Sequence, residues 1–86
     1  MPRYLVERSF PHAWSVEADA CLHIIERNGD DVTWLQSYVS EDGRKTFCVY
    51  EAASPEAVRK SAARNDLPID SITSVRVLDP YPYAHR

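Results

Sequence analysis

Residues 32–52 read VTWLQSYVSEDGRKTFCVYEA, and this stretch decides the fold. It reads as two β-strands joined by a turn at residues 40–44, in which Gly43 supplies a backbone position that favours positive φ. Successive side chains of a strand point to opposite sides, so one side of the predicted hairpin is apolar. We expect that side to face a hydrophobic core; its residues are Leu35, Val39, Phe47 and Val49.

The other side of the predicted hairpin mixes aromatic and polar groups. A surface of this kind usually contacts a partner subunit, a small molecule, or both. It is therefore the best functional indication in the chain. Its residues are Trp34, Gln36, Tyr38, Cys48 and Tyr50.

The segments around the hairpin predict two more strands and two helices. Residues 3–10 are rich in strand formers and end at Pro11, which cannot donate to a sheet ladder. Ser15 is a suitable N-cap for a helix that ends near Asn28. Ser54-Pro55-Glu56 begins a second helix that runs to about residue 65, because Ser favours the N-cap and Pro the first helical position. Residues 72–78 are β-branched and alternating, which predicts a last strand.

The order strand, helix, strand, strand, helix, strand predicts an α+β, ferredoxin-like βαββαβ sandwich. In this fold a four-stranded antiparallel sheet carries both helices on one face, and residues 1–79 form the single domain before an irregular tail at residues 80–86. The helix-free face is open to water, a ligand or a second subunit. We expect the aromatic and polar side of the hairpin to lie there, together with Arg8 and Arg76.

Composition limits the function. A formal net charge of -3 argues against nucleic-acid binding, which usually requires a basic patch. The chain lacks the continuous apolar run of a signal peptide or membrane span, so we expect a cytoplasmic protein with no membrane partner. Cys21 and Cys48 match no metal or redox spacing and are expected to be reduced.

Five segments resemble a family of small bacterial nickel-binding, ferredoxin-like proteins that was formerly classed as a domain of unknown function. They are MPRYLVER (1–8), TWLQSYVS (33–40), KTFCVYEA (45–52), SPEAVR (54–59) and VRVLDPY (75–81). The resemblance covers nearly the whole chain and implies a ferredoxin-like homodimer. It also implies nickel or another divalent transition metal as a ligand.

The resemblance is incomplete at the metal ligands. Relatives that bind nickel carry an aspartate and a histidine in the first strand, at the positions of Val6 and Arg8 here, so this branch lacks part of the ligand set. The first helix offers Asp19 and His23 at i, i+4, a spacing within reach of one ion. We predict a site completed by His12 or Glu7; the alternative is an exposed helical pair with a weak attraction.

No serine nucleophile, acid and base pair or phosphate loop is recognisable in the sequence. We therefore predict a non-catalytic, homodimeric binding protein. Two alternatives remain for the open face. One is a pocket in which Trp34, Tyr38 and Tyr50 stack on a planar organic ligand that Arg8 or Arg76 holds. The other is the active site of a cofactor-independent enzyme of the dimeric α/β-barrel type.

Overall fold

The computed structural model describes residues 1–14 and 18–84. In chain order the elements are β1 (Arg3–Ser9), α1 (Ala18–Asn28), β2 (Val32–Val39), β3 (Lys45–Ala52), α2 (Pro55–Arg64), β4 (Ser71–Val75) and α3 (Tyr81–Ala84). The strands follow the order β2-β3-β1-β4 in the sheet and all three pairings are antiparallel, which confirms the ferredoxin-like fold. No helix of the described segments has the length and apolar character that crossing a membrane requires.

The β2–β3 turn has the predicted glycine conformation, with a φ of +73° at Gly43. Asp42 accepts hydrogen bonds from the Arg44 amide at 3.0 Å and the Ser40 hydroxyl at 2.7 Å. These two donors stabilise the carboxylate, and they lower the pKa of Asp42 below its usual range. The turn is therefore fixed by its own side chains.

The core lies on the side of the sheet opposite to the one predicted. Its buried strand residues include Tyr4, Val6, Cys48 and Tyr50, and Val58 of α2 packs against them. The four residues predicted to form the core do not do so. Phe47 and Val49 are only half-buried, whereas Leu35 and Val39 are exposed.

A β-bulge at Leu35 explains part of this difference. Trp34 lies opposite Tyr50, but Gln36 lies opposite Val49, so Leu35 is an extra residue in β2. One extra residue reverses which side each later side chain takes. Trp34 therefore faces the helices, while Gln36 and Tyr38 belong to the open side.

The small inner face of α2 explains the rest. Val58, Ser61 and Ala62 are buried there, as their spacing predicts. A helix with such short side chains leaves space above the sheet for large ones, and tyrosines of β1 and β3 fill it. The predicted helix start is also confirmed, since the Ser54 hydroxyl accepts from the Ala57 amide at 3.3 Å.

Polar contacts join the ends of α1 and α2. Asn28 is buried and its side-chain oxygen accepts from the Ser61 hydroxyl and from Asn65 Nδ2. Arg64 donates from Nε to the Arg27 carbonyl at 2.6 Å and from Nη2 to the Asn28 carbonyl at 2.7 Å. These bonds satisfy carbonyls that the end of a helix leaves without partners.

The last strand is shorter than predicted and is followed by an exposed segment. β4 ends at Val75, and a single helical turn forms at Tyr81–Ala84 where an irregular tail was predicted. Val77, Leu78 and Tyr81 are all exposed. The predicted N-cap of α1, Ser15, lies outside the described residues.

Candidate functional site

A buried arginine lies on the helix-covered side of the sheet, near one end of the strands. Arg8 is only 2% exposed and pairs with Thr46 across β1 and β3. Its Nη1 donates to Tyr50 Oη at 3.3 Å, and its guanidinium carbon lies 5.6 Å from the centroid of the Tyr50 ring. Cation–π attraction thus adds to the hydrogen bond.

Aromatic and aliphatic side chains enclose the space around this arginine, a cavity of about 10 Å³ that holds about one water-sized group. Phe10 and Trp14 stack with their ring centroids 5.3 Å apart. On the polar side, Cys48 Sγ donates to Thr46 Oγ1 at 3.7 Å. The described residues that line the cavity are Arg8, Phe10, Trp14, Ile24, Trp34, Thr46, Cys48, Tyr50 and Leu67.

The β2–β3 turn holds the aromatic wall in place. The Phe10 amide donates to the Arg44 carbonyl at 2.8 Å, and the Trp14 amide donates to the Gly43 carbonyl at 2.7 Å. Arg44 Nη2 also donates to the Pro11 carbonyl at 3.0 Å. The stacked pair is therefore fixed to the hairpin by backbone atoms.

Among the described residues, the cavity contains a positive charge but no negative charge. Within the described residues no carboxylate forms an ion pair with Arg8, and its Nε is buried without an acceptor. Burial raises the pKa of Tyr50 to about 12 despite the neighbouring guanidinium, so the phenol keeps its proton at neutral pH. The site therefore presents a fixed positive charge and hydroxyl donors.

The seven residues predicted for one ligand or dimer face divide between two sides of the sheet. Arg8, Trp34, Cys48 and Tyr50 line the cavity beneath the helices, so their predicted place on the open face is wrong. Gln36 and Tyr38 do lie on the open side, and Arg76, just after β4, borders it. The alternation along β1 does not identify which side of the strand faces the core, because both alternating sets of side chains mix apolar and charged residues. The prediction therefore assigned Arg8 to the wrong side.

The open side contains a broad groove of about 550 Å³. Gln36 Nε2 donates to Tyr38 Oη at 2.9 Å within it. Leu5, missed in the sequence as a site residue, lies at its centre beside Val49, its partner across β1 and β3. The full lining is Arg3, Leu5, Leu35, Gln36, Tyr38, Val49, Val75, Arg76 and Val77.

The predicted metal ligands are not brought together. Glu7 lies on the open side, where its carboxylate accepts from the Ser71 hydroxyl at 2.8 Å and lies 3.8 Å from Lys45 Nζ. Its predicted pairing with α1 is therefore wrong, because α1 covers the other side. His12 and His23 are exposed, and the side chain of Asp19 is outside the described part. Among the residues described, no three His, Cys, Asp or Glu side chains form a cluster that could hold a metal ion.

Comparison with known proteins places these features in a family. The chain is similar over 90% of its length, and over 99% of the other chain, to the crystal structure of SCO4226 from Streptomyces coelicolor A3(2). The TM-score is 0.68 and the sequence identity is 17%, so this likeness concerns the fold. No curated protein matches the chain.

A family model supplies the sequence relationship. The model described as "Nickel responsive protein SCO4226-like" matches residues 4–75, which include every strand of the sheet except the first residue of β1. The chain belongs to the SCO4226-like family of nickel-responsive proteins.

Proposed function

We propose that this chain is a small non-catalytic binding protein that acts as a homodimer, with the open side of its sheet as the contact between subunits. The observation that carries the proposal is the apolar, uncovered groove formed by Leu5, Leu35, Tyr38 and Val49. Side chains of this kind are normally covered, since their contact with water is unfavourable.

The size of the open side suits a subunit contact. Four strands of about seven residues present roughly 400 Å² in projection, at ~4.8 Å between strands and ~3.3 Å per residue. Because side chains project from the sheet, the accessible area of this side is larger than its projected area and approaches the ~800 Å² per partner of a standard interface. The exposed apolar residues Val77, Leu78 and Tyr81 follow directly after the edge strand and would extend the contact.

The charges of the open side permit two copies to meet. One end carries the Arg3–Glu51 ion pair at 3.2 Å, and the other carries the Glu7–Lys45 pair at 3.8 Å. The Glu7–Lys45 end is therefore neutral, whereas the other end also carries the positive charge of Arg76. A two-fold axis that runs across the strands would place the Arg76 end of one copy over the neutral end of the other, so the two like charges stay apart.

Sedimentation velocity of the wild type and of Tyr38→Glu tests the homodimer. We expect a dimeric wild type and a folded, monomeric variant, because Tyr38 is 61% exposed and the new carboxylate would be buried unpaired in the interface. Leu22→Glu is the matched control, since Leu22 is an exposed apolar residue of α1, and it should stay dimeric. A monomeric wild type, or a Tyr38→Glu protein that stays dimeric, would contradict the proposal.

The described residues do not fit a nickel ion at the first-strand position. Val6 and Arg8 stand where nickel-binding relatives are expected to have ligands, and a guanidinium repels a divalent cation and offers no lone pair. We therefore assign no nickel to this cavity, and responsiveness in the family name does not require a metal site in each member.

Nickel binding through Asp19 and His23 stays a prediction. Calorimetric titration of the tag-free protein with nickel is its test, with His23→Ala expected to weaken binding. The prediction is wrong if the wild type shows no binding at micromolar nickel. Such a result would leave the dimer proposal intact, because the open side contributes none of these ligands.

The groove also favours a second candidate function, the binding of a planar organic ligand. Tyr38 supplies an aromatic surface and Arg76 a charge, although Trp34 and Tyr50 are on the other side and cannot take part. None of the described residues that line the groove is acidic, His or Cys, so the groove suits binding better than proton transfer. A wild type that sediments as a monomer would favour this candidate over the dimer.

A further inference from the structure

We propose that the cavity around Arg8 binds a single-atom monovalent anion, a halide, beneath α1. The proposal does not depend on dimer formation, because the cavity and the open groove lie on opposite sides of the sheet. The proposed ligand is negatively charged, whereas the nickel ion that the family name suggests is positively charged.

The first step is the buried charge of Arg8. A guanidinium keeps its proton at all physiological pH values, so burial cannot neutralise it. Buried charges in proteins are normally paired. The described residues provide only a neutral hydroxyl and an aromatic ring as partners, so the site has one positive charge without a counter-charge among them.

The second step is the geometry of the guanidinium. Its Nη1 is used by Tyr50, which leaves the edge formed by Nε and Nη2. That edge is one of the two forks that bind a carboxylate through parallel hydrogen bonds. Nε is buried without an acceptor among the described residues, so this fork is available to an anion.

The third step is the direction of the surrounding hydroxyl groups. Tyr50 Oη accepts from Arg8 and also interacts with the Cys48 side chain, so its hydrogen bonds are used. Thr46 Oγ1 accepts from Cys48 and donates to no other described residue, so it retains an O–H that needs an acceptor. Together with Nε and Nη2 of Arg8 the cavity has three unused donors, and a small anion can accept from all of them.

The fourth step is size and polarity. The cavity of about 10 Å³ admits about one water-sized group, which a halide ion approaches in size and a carboxylate exceeds. Phe10, Trp14 and Trp34 form apolar walls, in which a charge interaction is stronger than in water. One guanidinium balances one negative charge, so a monovalent anion fits better than a divalent one.

Thermal unfolding of the tag-free protein at pH 7 tests the proposal, with sodium chloride or sodium bromide added and sodium sulfate holding the ionic strength constant. We expect a saturable rise in Tm with at least one of the two halides. Sodium acetate is the size control, and it should raise the Tm no more than sulfate does. The response should fall at least tenfold in apparent affinity in Arg8→Met, whose side chain replaces much of the lost volume without charge.

Arg76→Met is the matched control, because Arg76 is exposed and borders the open groove, and its response should equal that of the wild type. A second measurement does not depend on variants: the Nε–H resonance of Arg8 in ¹H–¹⁵N spectra should shift saturably with the same anion. The proposal is overturned if neither halide raises the Tm more than sulfate does, or if Arg8→Met responds as the wild type does.

Discussion

Arg8 and Tyr50 are joined twice, by a hydrogen bond of 3.3 Å from Nη1 to the phenol and by the position of the guanidinium 5.6 Å from the ring centroid. The two residues belong to neighbouring strands and are both almost fully buried. The pair connects β1 and β3 beneath the helices. It also holds the positively charged guanidinium in position at the cavity described above.

This relationship predicts the alkaline stability of the protein. Burial raises the pKa of Tyr50 to about 12, so the folded state retains the phenol proton where an unfolded tyrosine, with a pKa near 10, loses it. Stability from this group is complete below about pH 10 and is lost as the pH rises toward 12, by up to about 3 kcal/mol. Urea unfolding at pH 8, 10 and 11 should show this decline in the wild type and a smaller one in Tyr50→Phe.

Tyr38→Phe is the control for that experiment, since Tyr38 is an exposed tyrosine. Its unfolding free energy should follow the wild type across the same pH values. If Tyr50→Phe and the wild type lose stability in parallel, the phenol is not protected in the folded state and the prediction is wrong.

A second prediction concerns the turn that holds the aromatic wall. Gly43 has a φ of +73°, and a Cβ at this position would lie 3.2 Å from Ala13 Cβ. Gly43→Ala should therefore destabilise the protein by about 1–3 kcal/mol through backbone strain and this close contact. It should also change the fluorescence of Trp14, because the Trp14 amide is bound to the Gly43 carbonyl.

Gly29→Ala separates the two causes of that loss. Gly29 has almost the same φ, +74°, but its Cβ would meet its nearest neighbour at 3.4 Å, an ordinary contact. We expect a smaller loss of stability than in Gly43→Ala, measured by urea unfolding. An equal loss would mean that the contact with Ala13 contributes nothing.

A third prediction concerns the attachment of α1. Arg64 donates to the carbonyls of Arg27 and Asn28 at the end of that helix, so Arg64→Ala should cost about 1–2 kcal/mol. Arg59→Ala is the matched control, because Arg59 forms an exposed ion pair with Glu56 and should cost less than about 1 kcal/mol.

Hydrogen exchange locates the effect of the Arg64 change. Amide exchange should accelerate in α1 more than in β1 or β3, because the lost bonds join only the helix ends. Uniform acceleration over the whole chain would instead indicate that these bonds support the global fold and not α1 in particular.

The fold could be predicted from the sequence because its signals are local. Ser54, Pro55 and Gly43 each require a particular backbone geometry, and each takes that geometry in the structure. Element order then leaves few arrangements for a chain of this length. These signals do not depend on distant residues.

The side of the sheet that meets the helices could not be predicted in the same way. It depends on which set of side chains fits beneath α2, and the inner face of that helix is small enough to accept tyrosines. The bulge at Leu35 also reverses the alternation of side chains between the two sides of β2, and no residue in this stretch is a recognisable signal for a bulge. The Arg8 cavity was missed for the same reason, since Arg8, Trp34, Cys48 and Tyr50 were predicted to share one face of the sheet but were placed on the wrong one.

A pair of matched valine substitutions tests the corrected core. Val6 is fully buried, so Val6→Ala should cost about 2–3 kcal/mol from lost burial and the cavity left behind. Val39, which the alternating pattern assigns to the core, is 51% exposed at the end of an edge strand, and Val39→Ala should cost less than about 0.5 kcal/mol. Urea unfolding of both variants at one protein concentration gives the comparison. Equal losses would mean that Val39 is buried in the core despite its place at the end of β2, whereas a large loss only at Val6 agrees with a core built on the Tyr4, Val6 and Tyr50 side of the sheet.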